Sequence, residues 1–205
     1  MSKKDRIIKC VNELLNNDLI MGSWGNVSIR EKTKIFITPT MIPYKKLKRD
    51  DVSELHIKKD KLISGLTPSS EYLMHKYIYK KNSDIKAIIH THSEYLTLFS
   101  ILREKIPPIT EEQIVSVGPE ISYVQYYPSG TKELAEKVSE YFKKYKGVML
   151  ANHGFVGTGE DIEDALLNCR VAEKTARIFY KIKPYFENKM KLDSKQIYNV
   201  LKKGD

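Results

Sequence analysis

The sequence predicts an α/β domain in which a mixed sheet is covered by helices on its two faces. Apolar runs of strand length occur in close pairs, as at residues 55–57 and 62–63 on either side of Lys59-Asp60-Lys61, and also directly after helical patterns, as at residues 85–89. Pairs joined by tight turns make antiparallel hairpins, whereas alternation of strands with helices is the habit of a sheet held between helical layers. At 205 residues the chain is expected to form one domain, 1–205, large enough to bury a core without disulfides.

Residues 3–18 place Ile7, Ile8, Val11, Leu14 and Leu15 on one stripe of an amphipathic helix. The turn Gly22-Ser23-Trp24-Gly25-Asn26 then runs into a strand in which Val27 and Ile29 alternate with polar residues. Its glycines permit positive φ and leave N–H groups, with the Ser23 and Asn26 side chains, free to hold an anion; the same pattern also serves as an ordinary turn. A second strand over 34–38 enters the proline-punctuated, hydroxyl-rich loop Thr38-Pro39-Thr40-Met41-Ile42-Pro43-Tyr44. After the hairpin, Thr67 reads as an N-cap and Pro68 as the first helical residue. Ser69, Ser70 and Glu71 then fall in the first turn of a helix to about Lys80. Such a turn binds anions through its unpaired N–H groups, and an acid there is also favourable simply as a cap.

The next strand ends in Ile88-Ile89-His90-Thr91-His92-Ser93. Side-chain direction repeats every two residues in a strand, so His90 and His92 share a face, which is a chelating arrangement for a divalent metal. Val148-Met149-Leu150-Ala151-Asn152-His153-Gly154 is a second buried-looking strand closed by a histidine and a glycine turn. Of five histidines, these three stand at strand ends, where open α/β sheets place their chemistry. Three neutral nitrogen ligands leave a divalent ion strongly Lewis-acidic, able to polarise a carbonyl, and Glu71 is the best-placed carboxylate to move a proton beside it.

The rest reads as a helix over 93–102 stopped before Pro107-Pro108, and a segment over 109–118, containing Glu111 and Glu112, that fits loop or strand. A strand over 121–127 and a helix over 131–145 follow. Beyond the His153 strand come a short strand at 155–156, a long helix over 161–182 closed by Pro184, a last helix over 195–201 and a charged tail. The net charge of +9 comes from lysines spread along the chain, not interleaved with aromatics, so no nucleic-acid partner is expected. No apolar run reaches membrane-spanning length and none resembles a signal peptide, so no membrane partner and a cytoplasmic location are expected. Cys10 and Cys169 fit reduced core thiols.

Gly25-Asn26-Val27-Ser28, Thr38-Pro39-Thr40, Pro68-Ser69-Ser70-Glu71, His90-Thr91-His92 and Asn152-His153-Gly154 follow, in order and over most of the chain, the pattern of the class II aldolase/adducin family, which the sequence resembles. The resemblance implies a three-layer α/β/α domain with a mostly antiparallel sheet. It further implies one Zn2+ per subunit, or another divalent metal, on His90, His92 and His153, with Gly25, Asn26, Thr40, Ser69 and Ser70 holding a phosphate. Glu71 is then the general acid/base in cleavage of a ketose 1-phosphate to dihydroxyacetone phosphate and a short aldehyde. A homotetramer with active sites at subunit interfaces is implied as well. Two positions depart from the pattern: Met41 stands where a glycine is usual, and Glu111 where a tyrosine of a neighbouring subunit carries the proton of the aldehyde oxygen. Tyr123, Tyr126, Tyr127 or the C-terminal tail could carry that proton instead. Related activities in the family are sugar-phosphate epimerisation, whose enzymes tend to carry aspartate in place of Glu71, and dehydration of a methylthioribulose phosphate. A non-catalytic, adducin-like oligomerisation module would not need the three histidines.

Overall fold

Alternating and continuous apolar runs become β1 (Asn26–Glu31), β2 (Lys34–Ile37), β3 (Ser53–His56), β4 (Lys61–Ser64), β5 (Ala87–Thr91), β6 (Tyr123–Val124), β7 (Gly147–Leu150) and β8 (Gly154–Gly159). The amphipathic segments become α1 (Lys3–Asn16), α2 (Tyr72–Lys81), α3 (Glu94–Leu102), α4 (Glu111–Ser116), α5 (Lys132–Tyr141), α6 (Ile162–Ile182) and α7 (Ser194–Lys202). The computed structural model describes residues 1–142 and 144–202; Lys143, and the charged tail 203–205, lie outside the described residues. The strands form one sheet in the order β4-β3-β2-β1-β5-β8-β7-β6, and among the described residues β6 alone pairs in parallel, with β7.

Period-two side-chain alternation divides the core into two clusters, one on each face. Val27, Ile29, Ile89 and Phe155 pack with residues of α1, α3 and α6, including Ile7, Leu14, Phe99, Ala172 and Phe179. Ile35, Ile37, Ile88 and Val156 pack on the other face with Ile78 of α2 and Leu134 and Val138 of α5. Their neighbours in sequence thus serve opposite layers, which gives the expected three-layer α/β/α architecture. Helix starts are set by side chains: Ser2 and Asp5 form a capping box for α1, Thr131 caps α5 and Asp161 caps α6. The N-terminus of α3 is capped from another helix, the Glu173 carboxylate of α6 accepting from the Tyr95 and Leu96 N–H groups at 2.9 and 3.0 Å. No helix among the described residues is long and apolar enough to cross a membrane.

Several local expectations are corrected. Thr67 and Pro68 do not open α2. The Thr67 carbonyl accepts from Thr40 N–H and Pro68 bridges Pro39, because residues before proline are driven to extended backbone and the two loops pair there. The helix begins at Tyr72 with Glu71 as N-cap, so Ser69 and Ser70 lie in the turn before it. Residues 109–118 contain helix α4, capped by Thr110, in place of loop or strand. The strand expected over 121–127 shrinks to Tyr123–Val124, since Ile121 bridges Ile106 instead of pairing with β7. The strand expected at 155–156 extends over all of β8.

Candidate metal centre and active site

β5 lies between β1 and β8, with Asn26 opposite His90 and Phe155 opposite Thr91. His90 is therefore the penultimate residue of a strand flanked on both sides, and His92 follows just past its end. His153 arrives from the turn joining β7 to β8, where its N–H donates to Leu150 and Asn152 adopts φ 59°, a left-handed conformation that asparagine tolerates. The loop Gly22 to Asn26 is pinned from below by Tyr44, whose buried hydroxyl donates to the Gly25 carbonyl at 2.5 Å and whose pKa burial pushes up to about 12. Gly25 sits at φ 80°, and a Cβ there would meet the His90 carbonyl oxygen at 2.6 Å, so no other residue lets this loop approach β5 so closely.

The three histidines converge through one kind of atom. Nε2 of His90 lies 3.0 Å from Nε2 of His92 and 3.2 Å from Nε2 of His153. The Glu71 carboxylate completes the group, Oε2 lying 3.3 Å from His90 Nε2 and Oε1 3.6 Å from His153 Nε2. All four ligand atoms fall within 4.8 Å of one another. His90 is held in one tautomer: its Nδ1–H donates to the Phe155 carbonyl at 2.9 Å, which leaves a lone pair on Nε2. Burial lowers the pKa of His90 well below the usual range and that of His92 to about 3, neighbouring histidines adding to both, so these rings are neutral.

These residues fit a divalent ion. A bare lone pair at His90 Nε2 next to other ring nitrogens and a carboxylate oxygen is a repulsive arrangement that a cation relieves. Nitrogens about 2.0–2.1 Å from a tetrahedral zinc lie about 3.3 Å apart, close to the spacing seen here. Glu71 Oε1 is buried and has no hydrogen-bond partner.

Beside this cluster lies a cavity of about 410 Å³. Gly25, Asn26, Thr40, Ser69 and Ser70 line it together with Glu71, and His92 and His153 form part of its wall. The residues expected to bind metal, move the proton and hold the phosphate thus meet around one space, His90 beneath it and fully buried. Met41 also lines the cavity, but its backbone is left-handed at φ 59° and its side chain is 84% exposed, so it does not fill the space. Glu111 is elsewhere in its own chain, on a second cavity of about 930 Å³ between α4, α6 and α7. Sequence reasoning missed Ser129, which lines the site from an exposed Pro-Ser-Gly turn, and His75, which is fully buried and bonded to Asn26. His75 carried one usable signal, its place one helical turn after Glu71.

A doubly covered sheet presenting three imidazoles and a carboxylate at a hydroxyl-lined cavity is the frame of a metal-dependent α/β enzyme. Residues 5–180 match the family described as Class II Aldolase and Adducin N-terminal domain, and the chain belongs to the class II aldolase and adducin family. It is 39% identical over 173 residues to the L-fuculose phosphate aldolase of Methanococcus maripaludis (strain DSM 14266), covering 84% of this chain and 93% of that protein. It is 32% identical over 188 residues to the 3-oxo-tetronate 4-phosphate decarboxylase of Haemophilus influenzae, covering 89% of each. A solved L-fuculose 1-phosphate aldolase superposes with a TM-score of 0.91 at 31% identity, over 98% of this chain and 95% of that one. Class II aldolases are lyases that act on sugar phosphates with a divalent metal, and the cluster of Glu71, His90, His92 and His153 is the candidate site for that ion.

Proposed function

We propose that the protein is a class II aldolase that reversibly cleaves a ketose 1-phosphate, such as L-fuculose 1-phosphate, to dihydroxyacetone phosphate and a short aldehyde: lactaldehyde, glyceraldehyde or glycolaldehyde. The observation that carries this reading is the single cavity shared by the histidine cluster, an unpartnered carboxylate oxygen and a wall of neutral donors. His90, His92 and His153 hold one Zn2+ per subunit. When bound, that ion supplies a Lewis acid that draws electron density from the substrate carbonyl. Gly25, Asn26, Thr40, Ser69 and Ser70 hold the phosphate through N–H, amide and hydroxyl donors. Among the described residues no lysine or arginine lines this cavity, so phosphate binding falls to these neutral groups.

Glu71 moves the proton. In synthesis its carboxylate removes a proton from C3 of dihydroxyacetone phosphate, that carbon bonds to the aldehyde carbon, and the aldehyde oxygen takes up a proton from solvent. In cleavage the C4 hydroxyl gives up its proton to solvent as the C3–C4 bond breaks, and Glu71 returns a proton to C3. The similarity to the Methanococcus aldolase supports fuculose phosphate among ketose phosphates, and the family resemblance supports a homotetramer with the sites at its interfaces. The decarboxylase relative supports a second reading, in which carbon dioxide leaves the same kind of phosphorylated substrate without any aldehyde to protonate.

The deciding experiment incubates zinc-loaded protein with ketose 1-phosphates of differing stereochemistry and, separately, with 3-oxo-tetronate 4-phosphate. Dihydroxyacetone phosphate from the first set supports the aldolase; carbon dioxide from the second alone replaces it. Glu71→Gln is expected to keep its zinc while both cleavage and exchange of the dihydroxyacetone phosphate C3 proton in heavy water fall strongly. Normal exchange in that variant would assign the base elsewhere.

A further inference from the structure

Glu71 caps α2, and His75 and Tyr79 follow it at four-residue steps on one face of the helix. Asn26 and Ser28 stand two residues apart on the facing side of β1. Four residues of helix rise about 6 Å and two residues of strand about 6.6 Å, so the two series stay in step. Their side chains interleave in one line. Asn26 Nδ2 donates to Glu71 Oε2 at 2.9 Å, and His75 Nε2 lies 2.5 Å from Asn26 Oδ1. His75 Nδ1 lies 2.6 Å from Ser28 Oγ, which lies 2.8 Å from the Tyr79 hydroxyl. Every member is buried.

The donor inventory gives the line a direction. An ionised carboxylate only accepts, so Asn26 turns its NH2 to Glu71 and its carbonyl oxygen to His75. That oxygen also only accepts, so the hydrogen of His75 is on Nε2. The ring then accepts at Nδ1 from Ser28, whose oxygen accepts in turn from Tyr79. Burial, which lowers the pKa of His75 to about 4, agrees with a neutral ring. If the amide turned over, its carbonyl would face the carboxylate, lone pair against lone pair, and the grip on Glu71 would be lost.

We propose that His75 is the positioning residue for Glu71: through Asn26 it fixes Oε2 and leaves Oε1, which has no hydrogen-bond partner, free to exchange the substrate proton. The proposal rests on Glu71 being the proton carrier. His75 itself touches no substrate. Its contribution is a carboxylate held in one rotamer, with one oxygen occupied and the other available.

The test compares His75→Phe, which keeps ring volume without the donor, with His75→Gln, whose amide nitrogen reaches the place of Nε2. Exchange of the dihydroxyacetone phosphate C3 proton is measured at saturating substrate in zinc-loaded protein, beside metal content. His75→Phe should lose at least about tenfold in exchange, with KM within about threefold and zinc retained, while His75→Gln stays within about threefold of the parent. Equal losses in both variants, or no loss in His75→Phe, overturn the proposal. The 15N shifts of the His75 ring in the unmodified protein decide the matter if His75→Phe does not fold: a protonated Nε2 is required, and a protonated Nδ1 refutes the relay. Glu71→Gln separates the two readings. Normal exchange there removes Glu71 as base, whereas lost exchange there with normal exchange in His75→Phe rejects the positioning role alone.

Discussion

Gly154 lies against the main chain of Thr91, so closely that a Cβ added to it would overlap the Thr91 carbonyl oxygen and come within 3.4 Å of the His90 ring. Backbone cannot give way as a flexible side chain can, so the β5–β8 pairing would have to part. Gly154→Ala is expected to destabilise the fold by about 1–3 kcal/mol and to weaken metal binding in the same variant, because Gly154 adjoins His153. Thermal melts with and without zinc check both effects. A variant that melts like the parent would show that the strands shift without cost.

Replacing His90, His92 or His153 by alanine should each abolish stoichiometric metal binding. A ligand that binds only the folded state adds about 2.7 kcal/mol at a concentration one hundred times its Kd. Zinc should therefore raise the melting temperature of the parent and leave the three variants unmoved. Full occupancy in any one of them would remove that histidine from the donor set.

Met41 holds φ 59° with its side chain in solvent. The left-handed region costs a side chain with a Cβ about 1–2 kcal/mol, and glycine escapes that cost while losing some of it to unfolded-state entropy. Met41→Gly should raise stability by about 1 kcal/mol, read as a higher denaturation midpoint with unchanged slope. A lower midpoint would mean that the exposed methionine makes stabilising contacts outweighing its backbone strain.

His75 makes stability depend on pH in a definite direction. Burial lowers its pKa from the ordinary 6.5 to about 4, so between these values the unfolded chain binds a proton that the folded protein refuses. Its contribution is complete above pH 6.5 and disappears as pH falls toward 4, a change of about 3 kcal/mol. Urea titrations from pH 4 to 7 should show stability rising with pH in the parent, and His75→Gln should flatten that rise. Parallel curves for the two proteins would assign the dependence to other groups.

The His-x-His pair could be read directly because strand periodicity is local: two residues apart means one face, whatever surrounds the strand. The two helical layers were legible because strands follow helices along the chain, and Ile88 and Ile89 serve opposite faces of the sheet. What escaped depends on partners far away in sequence. The start of α2 was misplaced because Pro68 is equally suited to a first helical turn and to an extended bridge, and only Pro39, brought alongside by the fold, decides between them. His75 went unnoticed because its partners Asn26 and Ser28 lie on β1, almost fifty residues earlier in the chain. Ile121 looked like part of a strand but is occupied by Ile106.

The strand order also bears on when the site comes into being. β1–β2, β3–β4 and β7–β8 are pairs of chain neighbours, whereas β5 must find β1 and β8 across long stretches of sequence. Contacts between distant segments close later than local ones because the loop entropy must be overcome first. His90 and His153, 63 residues apart, meet only when β5 is clamped, so hairpin formation alone does not assemble the full set of donors. During refolding, zinc uptake should lag the recovery of strand signal in circular dichroism, making capture of the ion a clock for the completion of tertiary structure.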